Sequence, residues 1–217
     1  MNKANRRYFI KAGLISVLLV PIAFITNAIG ARRASTPSES AGPFYPISAQ
    51  QDKDFDLTHV AGSSELARGQ VIIVEGRVVD TKGKAIADVA VEIWQANDAG
   101  RYAHPRDTNP AALDPNFQGW ATARSGNQGD FRFKTIMPGA YSVSANWQRP
   151  PHIHYKIFKR GYVELTTQMY FLNHPLNKTD ALIARKSSAA QRLMMASKST
   201  PKNNINVYQY QIVLAKA

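Results

Sequence analysis

Short segments in which apolar and polar side chains alternate limit what this chain can fold into. Val74, Gly76 and Val78 alternate with polar residues, and comparable segments follow at residues 89–94, 131–134, 141–145, 152–158, 166–171 and 207–214. Successive side chains of a strand face opposite sides, so each segment is predicted to be a strand. Twelve Pro and 13 Gly favour many short connections between them. We predict an all-β fold, an antiparallel β-sandwich with long loops.

One segment near the C-terminus departs from this alternation. Residues 180–198 offer Leu182, Ile183, Leu193 and Met194 for one helical face, although their spacing is imperfect. We therefore predict a short helical segment there.

The first 30 residues are predicted to be a targeting signal rather than part of the folded domain. The string NRRYFIK at residues 5–11 precedes an apolar run over residues 12–31 and is typical of a twin-arginine export signal. We expect export, to the periplasm, with an uncleaved membrane anchor as the alternative, because a spanning helix needs about 20 apolar residues. Residues 31–68, rich in Pro and Ser, are predicted to form an irregular arm, and residues 69–217 the main sandwich domain.

The amino-acid composition excludes several kinds of functional site. The chain has no Cys, which excludes disulfides, thiolate metal sites and cysteine nucleophiles, so any metal needs nitrogen and oxygen ligands. The net charge is +12, but the basic residues are scattered and form no stripe interleaved with aromatic residues. We expect no nucleic-acid partner, and contact with a membrane only through the N-terminal segment.

The string RPPHIHYKIF at residues 149–158 contains the strongest candidate for a functional site. In a strand, His152 and His154 share one face, while Ile153, Tyr155 and Ile157 share the other. Two adjacent neutral imidazoles could bind one metal ion. A His-X-His pair on the polar side of a strand is also common at plain solvated surfaces, so both interpretations stay open on this motif alone.

Three further strings give the pair its context. They are WQANDAGRYAHP at residues 94–105, LDPNFQGWATARS at 113–125 and GDFRFKTIMPGAY at 129–141. Together with the histidine segment, this order resembles the intradiol ring-cleavage dioxygenases, most closely the subfamily of protocatechuate 3,4-dioxygenase β chains. The resemblance runs from about residue 74 to 175 and returns in the YQYQIVL string near the end. It implies the sandwich of that family, one Fe³⁺ per chain, and insertion of both atoms of O₂ into a catechol-type ring to give a muconate-type diacid.

The resemblance also assigns roles to individual residues. By matching motifs, the iron ligands would be Tyr102, Tyr141, His152 and His154. Tyr141 would leave the metal when substrate binds and act as a base, while Arg149 and Gln168 would stabilise negative charge on the ring. The substrate-binding residues would be Trp94, Pro43, Phe44 and Arg149.

Pro43 and Phe44 match residues that a second chain supplies in the two-chain enzyme. Their presence beside all four ligands implies a self-sufficient monomer or homo-oligomer. Val143 replaces a tryptophan of the β chains, which leaves the pocket width open, and no residue matches the contact to a substrate carboxylate. The resemblance makes protocatechuate the first expected substrate, followed by catechol or a substituted diol. Catechol and hydroxyquinol enzymes have a helical N-terminal domain, for which residues 31–69 are expected to leave no room.

Ordinary structural roles remain open for several of these residues. Arg149 could be a surface cation paired with a carboxylate, Gln168 an exposed strand residue, and Trp94 part of the sandwich core. His104 is expected at the surface or near a ligand, and His59 and His174 receive no role. The competing function is an exported β-sandwich module that binds carbohydrate or protein without catalysis.

Overall fold

A computed structural model describes residues 32–48, 52 and 54–217 of the chain. The predicted export signal lies outside these residues. The strands are β1 (Val71–Asp80), β2 (Ala90–Trp94), β3 (Trp120–Arg124), β4 (Asp130–Ile136), β5 (Tyr141–Ser144), β6 (Trp147–Arg149), β7 (His152–Phe158), β8 (Leu165–Phe171), β9 (Met195–Lys202) and β10 (Ile205–Leu214). The helices are a 3₁₀ helix at Pro175–Lys178, α1 (Ala181–Ala184) and α2 (Ser188–Leu193).

Eight of the strands form one continuous sheet that folds into two halves. Its order is β3-β2-β7-β8-β9-β10-β1-β4, and β5 pairs with β6 in a separate hairpin. The contact between β8 and β9 involves only two residue pairs, Tyr170 with Met195 and Phe171 with Ala196, so the sheet divides there into two four-stranded halves. The two halves face each other, and this arrangement confirms the predicted sandwich.

The prediction that all pairing is antiparallel is wrong at two places. Strands β1 and β10 pair in parallel, as do β8 and β9. Parallel neighbours need a crossover connection rather than a hairpin. Alternation within one segment carries no information on the direction of its neighbour, so the mixed sheet could not be read from it.

The core lies between the two halves and contains the apolar face of each predicted strand. Phe131 and Tyr210, from one half, contact Tyr155 from the other, with ring centroids 6.1 and 5.3 Å apart. Val91 and Ile93 of β2 are fully buried in the same cluster. The opposite faces of β2 and β7 are therefore free to build a second, polar layer.

The predicted helical segment at residues 180–198 is partly wrong. It consists of two short helices, because Asp180 caps α1 and Ser187 caps α2 with a new N-terminus. From Met195 the chain is a strand, β9, which returns antiparallel to β10. Asn203 and Asn204 both have positive φ, as the tight turn between those two strands requires.

The described part of the arm, residues 32–48 and 54–68, contains no helix and, apart from an isolated bridge at Asp56, no paired strand. It is held by backbone hydrogen bonds from Thr36 to Val213 and from Glu39 to Thr166. Its residues 40–45 therefore run beside the outer face of β7 and β8. Within the described residues, none of the helices has the length and apolarity needed to cross a membrane.

Candidate active site

Two tyrosines are brought together by a close contact between loops. The Asn97 side chain accepts hydrogen bonds from the backbone N–H groups of Ala99 and Arg101, which turns the chain after β2 toward Tyr102. Gly139, just before β5, lies so near this turn that a Cβ atom there would come within 2.4 Å of the Gly100 nitrogen. The Tyr102 and Tyr141 rings consequently meet edge to face, with centroids 5.8 Å apart.

Two histidines project from the face of β7 that points away from the core. The predicted alternation is confirmed: Ile153, Tyr155 and Ile157 are fully buried in the core. His152 and His154 lie on the other face, are each 2% exposed, and have ring centroids 4.9 Å apart. They are not a solvated surface pair.

The two tyrosines and two histidines converge. The Tyr102 phenol oxygen lies 3.3 Å from Nε2 of His152 and 3.1 Å from Nε2 of His154. The Tyr141 ring centroid is 5.7 Å from that of His152. Tyr102, which lies 39 to 52 positions before the other three along the chain, therefore joins them in presenting two phenol oxygens and two imidazole nitrogens to one small region.

The backbone fixes the orientation of one imidazole. Nδ1 of His152 lies 2.7 Å from the Pro150 carbonyl oxygen, which makes Nδ1 the protonated nitrogen and leaves the lone pair on Nε2. Trp94 stacks flat against the His154 ring, with centroids 4.8 Å apart and planes 10° apart. Trp94, which is 1% exposed, thus supports the imidazole of His154 from behind.

A cavity of about 920 Å³ opens in front of this cluster. Among the residues that line it are six of those predicted from the sequence: Pro43, Phe44, Tyr141, Arg149, His154 and Gln168. Tyr102 and His152, which are 3% and 2% exposed, are buried behind this wall. Residues of the arm segment 39–44 line the cavity together with residues of the sandwich.

Arg149 is held at the cavity by a buried network. Its Nε donates to Asp180 Oδ2 at 2.7 Å, and its Nη2 donates to Gln168 Oε1 at 2.7 Å and to the Tyr170 hydroxyl at 2.9 Å. Gln168 in turn donates to the Ser40 carbonyl oxygen at 2.8 Å. Arg149 is 4% exposed and Gln168 1%, so neither is the surface residue that remained possible from the sequence.

A protein-family model described as "Dioxygenase" (Dioxygenase_C) matches residues 40–216 of the chain. The chain belongs to the intradiol ring-cleavage dioxygenases. This dioxygenase is 38% identical over 178 residues to the protocatechuate 3,4-dioxygenase β chain of Burkholderia cepacia, covering 79% of this chain and 76% of that relative. It is 26% identical to hydroxyquinol 1,2-dioxygenase of Rhizobium sp. (strain MTP-10005), over 78% of this chain but only 60% of the relative.

Solved structures give the same family. The 3-chlorocatechol 1,2-dioxygenase of Rhodococcus opacus 1CP matches the dioxygenase with a TM-score of 0.66 and 26% identity, covering 85% of this chain and 74% of that chain. The dioxygenase domain of a carbohydrate-binding fusion protein from Streptomyces sp. SirexAA-E matches with a TM-score of 0.60 and 26% identity, covering 85% of this chain and all of that domain. The prediction of an intradiol dioxygenase sandwich is confirmed.

Burial controls the charge of the four clustered side chains in the dioxygenase. Burial raises the pKa of the Tyr102 phenol well above its ordinary value of about 10, and the adjacent Tyr141 phenol raises it further. Burial also raises the pKa of Tyr141, although the Arg149 guanidinium acts in the opposite direction. Burial, together with Arg149, lowers the pKa of His154 to about 3 and that of His152 well below its usual range. Both imidazoles are therefore neutral at neutral pH.

The other three histidines of the described residues are not part of the cluster of two tyrosines and two histidines. His104 is buried, accepts a hydrogen bond from the Arg106 N–H through Nδ1, and packs 5.8 Å from the Phe44 ring. His59 lies 3.1 Å from the Ser63 carbonyl oxygen, and His174 accepts from the Leu176 N–H. His104 is thus near the site without pointing into the cluster.

Sequence reasoning missed two polar members of the site. Tyr170 donates to Gln168 Oε1 at 2.9 Å, and its place two residues after Gln168 on β8 could have indicated a shared face. Asp180 could be recognised as a helix cap from the apolar residues that follow it. Its ion pair with Arg149, 31 residues earlier, is a tertiary contact that no local pattern indicates.

Proposed function

We propose that this dioxygenase holds one Fe³⁺ and opens a catechol-type ring between its two hydroxyl-bearing carbons, inserting both atoms of O₂. The observation that carries the proposal is the convergence of Tyr102, Tyr141, His152 and His154 beside the 920 Å³ cavity. The names of the relatives, which act on protocatechuate, hydroxyquinol and catechol, support a catechol-type substrate.

The donor set fits a trivalent metal. The Tyr102 phenol oxygen lies 3.3 and 3.1 Å from Nε2 of His152 and His154, so these three donor atoms are close enough together to hold one ion. In the part of the chain that the structure describes, no three His, Asp or Glu side chains form a metal cluster, so a metal here depends on the tyrosine oxygens. Two phenolates would neutralise two of its three charges, which suits a buried site.

The four ligands would have different tasks. Tyr102 and His152 are buried behind the wall, which suits permanent ligands. Tyr141 and His154 both line the cavity, but His154 is 2% exposed and only Tyr141 is partly exposed. Tyr141 is therefore the ligand that an entering diol can displace, and its oxygen can take a substrate hydroxyl proton. Bound iron would supply the electronic coupling that makes the chelated diol reactive toward O₂.

Arg149 and Gln168 would act on the substrate rather than on the metal. Both line the cavity beside Tyr141, and the buried network around them keeps a positive charge fixed there. Fixed cations in a site of low dielectric stabilise charge that develops during reaction. Arg149 would therefore stabilise negative charge on the ring, and also the Tyr141 phenolate while that ligand is released.

Iron content and colour test the proposal. Protein purified from iron-replete cells should contain one iron per chain and be red to brown, because tyrosinate-to-ferric charge transfer absorbs visible light. It should consume O₂ in the presence of catechol or protocatechuate, with loss of the aromatic absorption of the diol. A colourless, iron-free preparation that turns over no diol would overturn the proposal.

A binding module without catalysis is the alternative from another class of protein. The family match over residues 40–216 and the burial of Tyr102, His152 and His154 count against it. A carbohydrate- or protein-binding face would be exposed rather than withdrawn behind a cavity wall. A preparation that binds oligosaccharide but no iron would favour that alternative.

We also propose that residues 1–30 direct export to the periplasm through the twin-arginine route. The support is the Arg6-Arg7 pair in NRRYFIK followed by the apolar run. Replacing both arginines by lysine should keep the protein in the cytoplasm, as measured by fractionation and diol-dependent O₂ uptake. Unchanged periplasmic activity would refute this route, and recovery of wild-type protein in the membrane fraction would indicate an uncleaved anchor.

A further inference from the structure

Part of the cavity wall is formed by α1, which starts at the arginine network. Asp180, the cap of α1, is bonded to Arg149, and Leu182 and Arg185 farther along α1 line the cavity. At 1.5 Å per helical residue, the five positions from Asp180 to Arg185 span about 7.5 Å. Arg185 is therefore a second arginine of the cavity wall, separate from the network around Arg149.

Arg185 carries the one charge on the described cavity wall that has no protein partner. Glu39 pairs with Lys186 at 3.2 Å, and Arg149 pairs with Asp180 at 2.7 Å. Both carboxylate oxygens of Asp107 accept backbone N–H groups. The Arg185 guanidinium makes neither a hydrogen bond nor an ion pair with any described residue. It is free to bind an anionic group of a ligand.

The cavity wall that contains Tyr141 and Arg185 also includes apolar side chains. Val143, Trp147 and Leu182 line it, and Val143 is 49% exposed. At about 920 Å³ the cavity is near the upper end of the range for pockets that hold drug-sized ligands, about 300–1,000 Å³. A diol with a single unsubstituted ring would leave most of this space filled with water.

We propose that the cavity selects a diol whose ring carries an apolar chain ending in a carboxylate, with Arg185 as the residue that binds the carboxylate. This inference rests on the proposed function and specifies its substrate class. With the diol at Tyr141, the chain would pack against Val143 and Leu182, and the carboxylate would bind the Arg185 guanidinium.

The test compares three probes: catechol, propylcatechol and dihydrocaffeate, which is a diol with a two-carbon chain ending in a carboxylate. For the wild type, kcat/KM for diol-dependent O₂ uptake should be highest with dihydrocaffeate. In Arg185→Gln, the ratio of kcat/KM for dihydrocaffeate to that for catechol should fall about tenfold through KM, the loss expected for one charge-assisted pair open to solvent. The wild-type KM for dihydrocaffeate should also rise with salt, and that of Arg185→Gln should not.

Two further variants separate the possible causes. Arg192→Gln removes an arginine from α2 that lines a different surface cavity, and the probe ratio should stay at the wild-type value. Val143→Trp fills the apolar wall, so it should disfavour propylcatechol and dihydrocaffeate relative to catechol. Equal kcat/KM for catechol and dihydrocaffeate in the wild type, or an unchanged ratio in Arg185→Gln, would overturn this inference alone. Failure to turn over any of the three diols would instead overturn the proposed function.

Discussion

Replacing Asp180 by Asn would test whether the arginine network positions Arg149. Asp180 is fully buried and has two functions: Oδ1 accepts the N–H groups of Leu182 and Ile183 at the start of α1, and Oδ2 accepts from Arg149 Nε at 2.7 Å. Asn retains a side-chain oxygen for the cap but removes the negative charge. The substitution therefore isolates the ion pair from the helix cap.

The expected loss of stability in Asp180→Asn follows from the burial of both partners of the ion pair. The side chains of Arg149 and Asp180 are 5% and 0% exposed, so removing one charge leaves the other uncompensated in the interior. Breaking such a pair costs about 3–5 kcal/mol, and the retained amide oxygen offsets part of this through its remaining hydrogen bonds, by about 1 kcal/mol. We expect the free energy of unfolding of Asp180→Asn to fall by about 2–4 kcal/mol.

Activity should fall as well, because Arg149 would keep only its bonds to Gln168 and Tyr170. A loss of one to two orders of magnitude in kcat, with iron content and visible colour retained, corresponds to about 1.4–2.8 kcal/mol of transition-state stabilisation. Urea unfolding followed by circular dichroism gives the stability, and O₂ uptake under conditions where the variant is folded gives kcat. Retained iron with reduced kcat is not expected from a purely structural role.

Asp114→Asn is the matched control. Asp114 is also buried and accepts backbone N–H groups from Arg68 and Asn116, but it does not line the cavity. This variant should lose stability while the folded fraction keeps its full kcat. If Asp180→Asn unfolds at the wild-type urea concentration and turns over normally, then the ion pair neither stabilises the fold nor positions Arg149, and the reasoning fails.

Three other changes have defined outcomes. Tyr102→Phe should abolish ring cleavage and reduce iron content while the circular dichroism spectrum is kept, and normal turnover with full iron would show that this ligand is misassigned. Gly139→Ala should destabilise the fold by about 1–3 kcal/mol, because the new Cβ would come within 2.4 Å of backbone atoms in the Tyr102 loop. The visible absorption should weaken as well. An unchanged melting temperature would contradict this prediction. Burial acts to raise the pKa of Asp56, but hydrogen bonds from Thr58 and Lys134 outweigh it and leave the pKa below its usual value. Asp56 therefore stabilises the protein above the unfolded pKa of about 4, and this stabilisation is lost as pH falls through the lower folded pKa. Melting temperatures measured from about pH 6 to 2 should decline less steeply for Asp56→Asn than for wild type. Parallel curves for the two proteins would contradict this role of Asp56.

Local patterns were sufficient for the segments that carry the metal-binding candidates. The bounds predicted for β7, residues 152–158, agree with the structure, and so does the division of its side chains between core and site. The alternation of side chains predicts this strand correctly because one face of β7 packs against the core and the other faces the cluster of tyrosines and histidines. The assignment of Tyr102 and Tyr141 to the same cluster came from resemblance, since no spacing rule brings a loop residue to a strand 39 positions later.

Other features lay beyond local patterns. Residues 195–198, the first half of strand β9, were predicted as helix because Leu193 and Met194 suit a helical face, although the Asn203-Asn204 pair was an available sign of a hairpin. Trp94 was expected against the substrate, but its alternation with Ile93 specified only a face of β2 and not the neighbour on that face. The neighbour proved to be His154, which pairs with Trp94 across β2 and β7.

The parallel pairing of β1 with β10 has a consequence for when the protein can mature. Residues 71–80 stay without one neighbour until residues 205–214 have been synthesised, and β9 and β10 also join the two halves of the sheet. Contacts between such distant parts of a sequence form slowly. Assembly of the sandwich, and with it of the pocket that would receive iron, therefore waits for residues 205–214, and loss of these residues would leave β1 without one neighbour and β9 without its antiparallel partner.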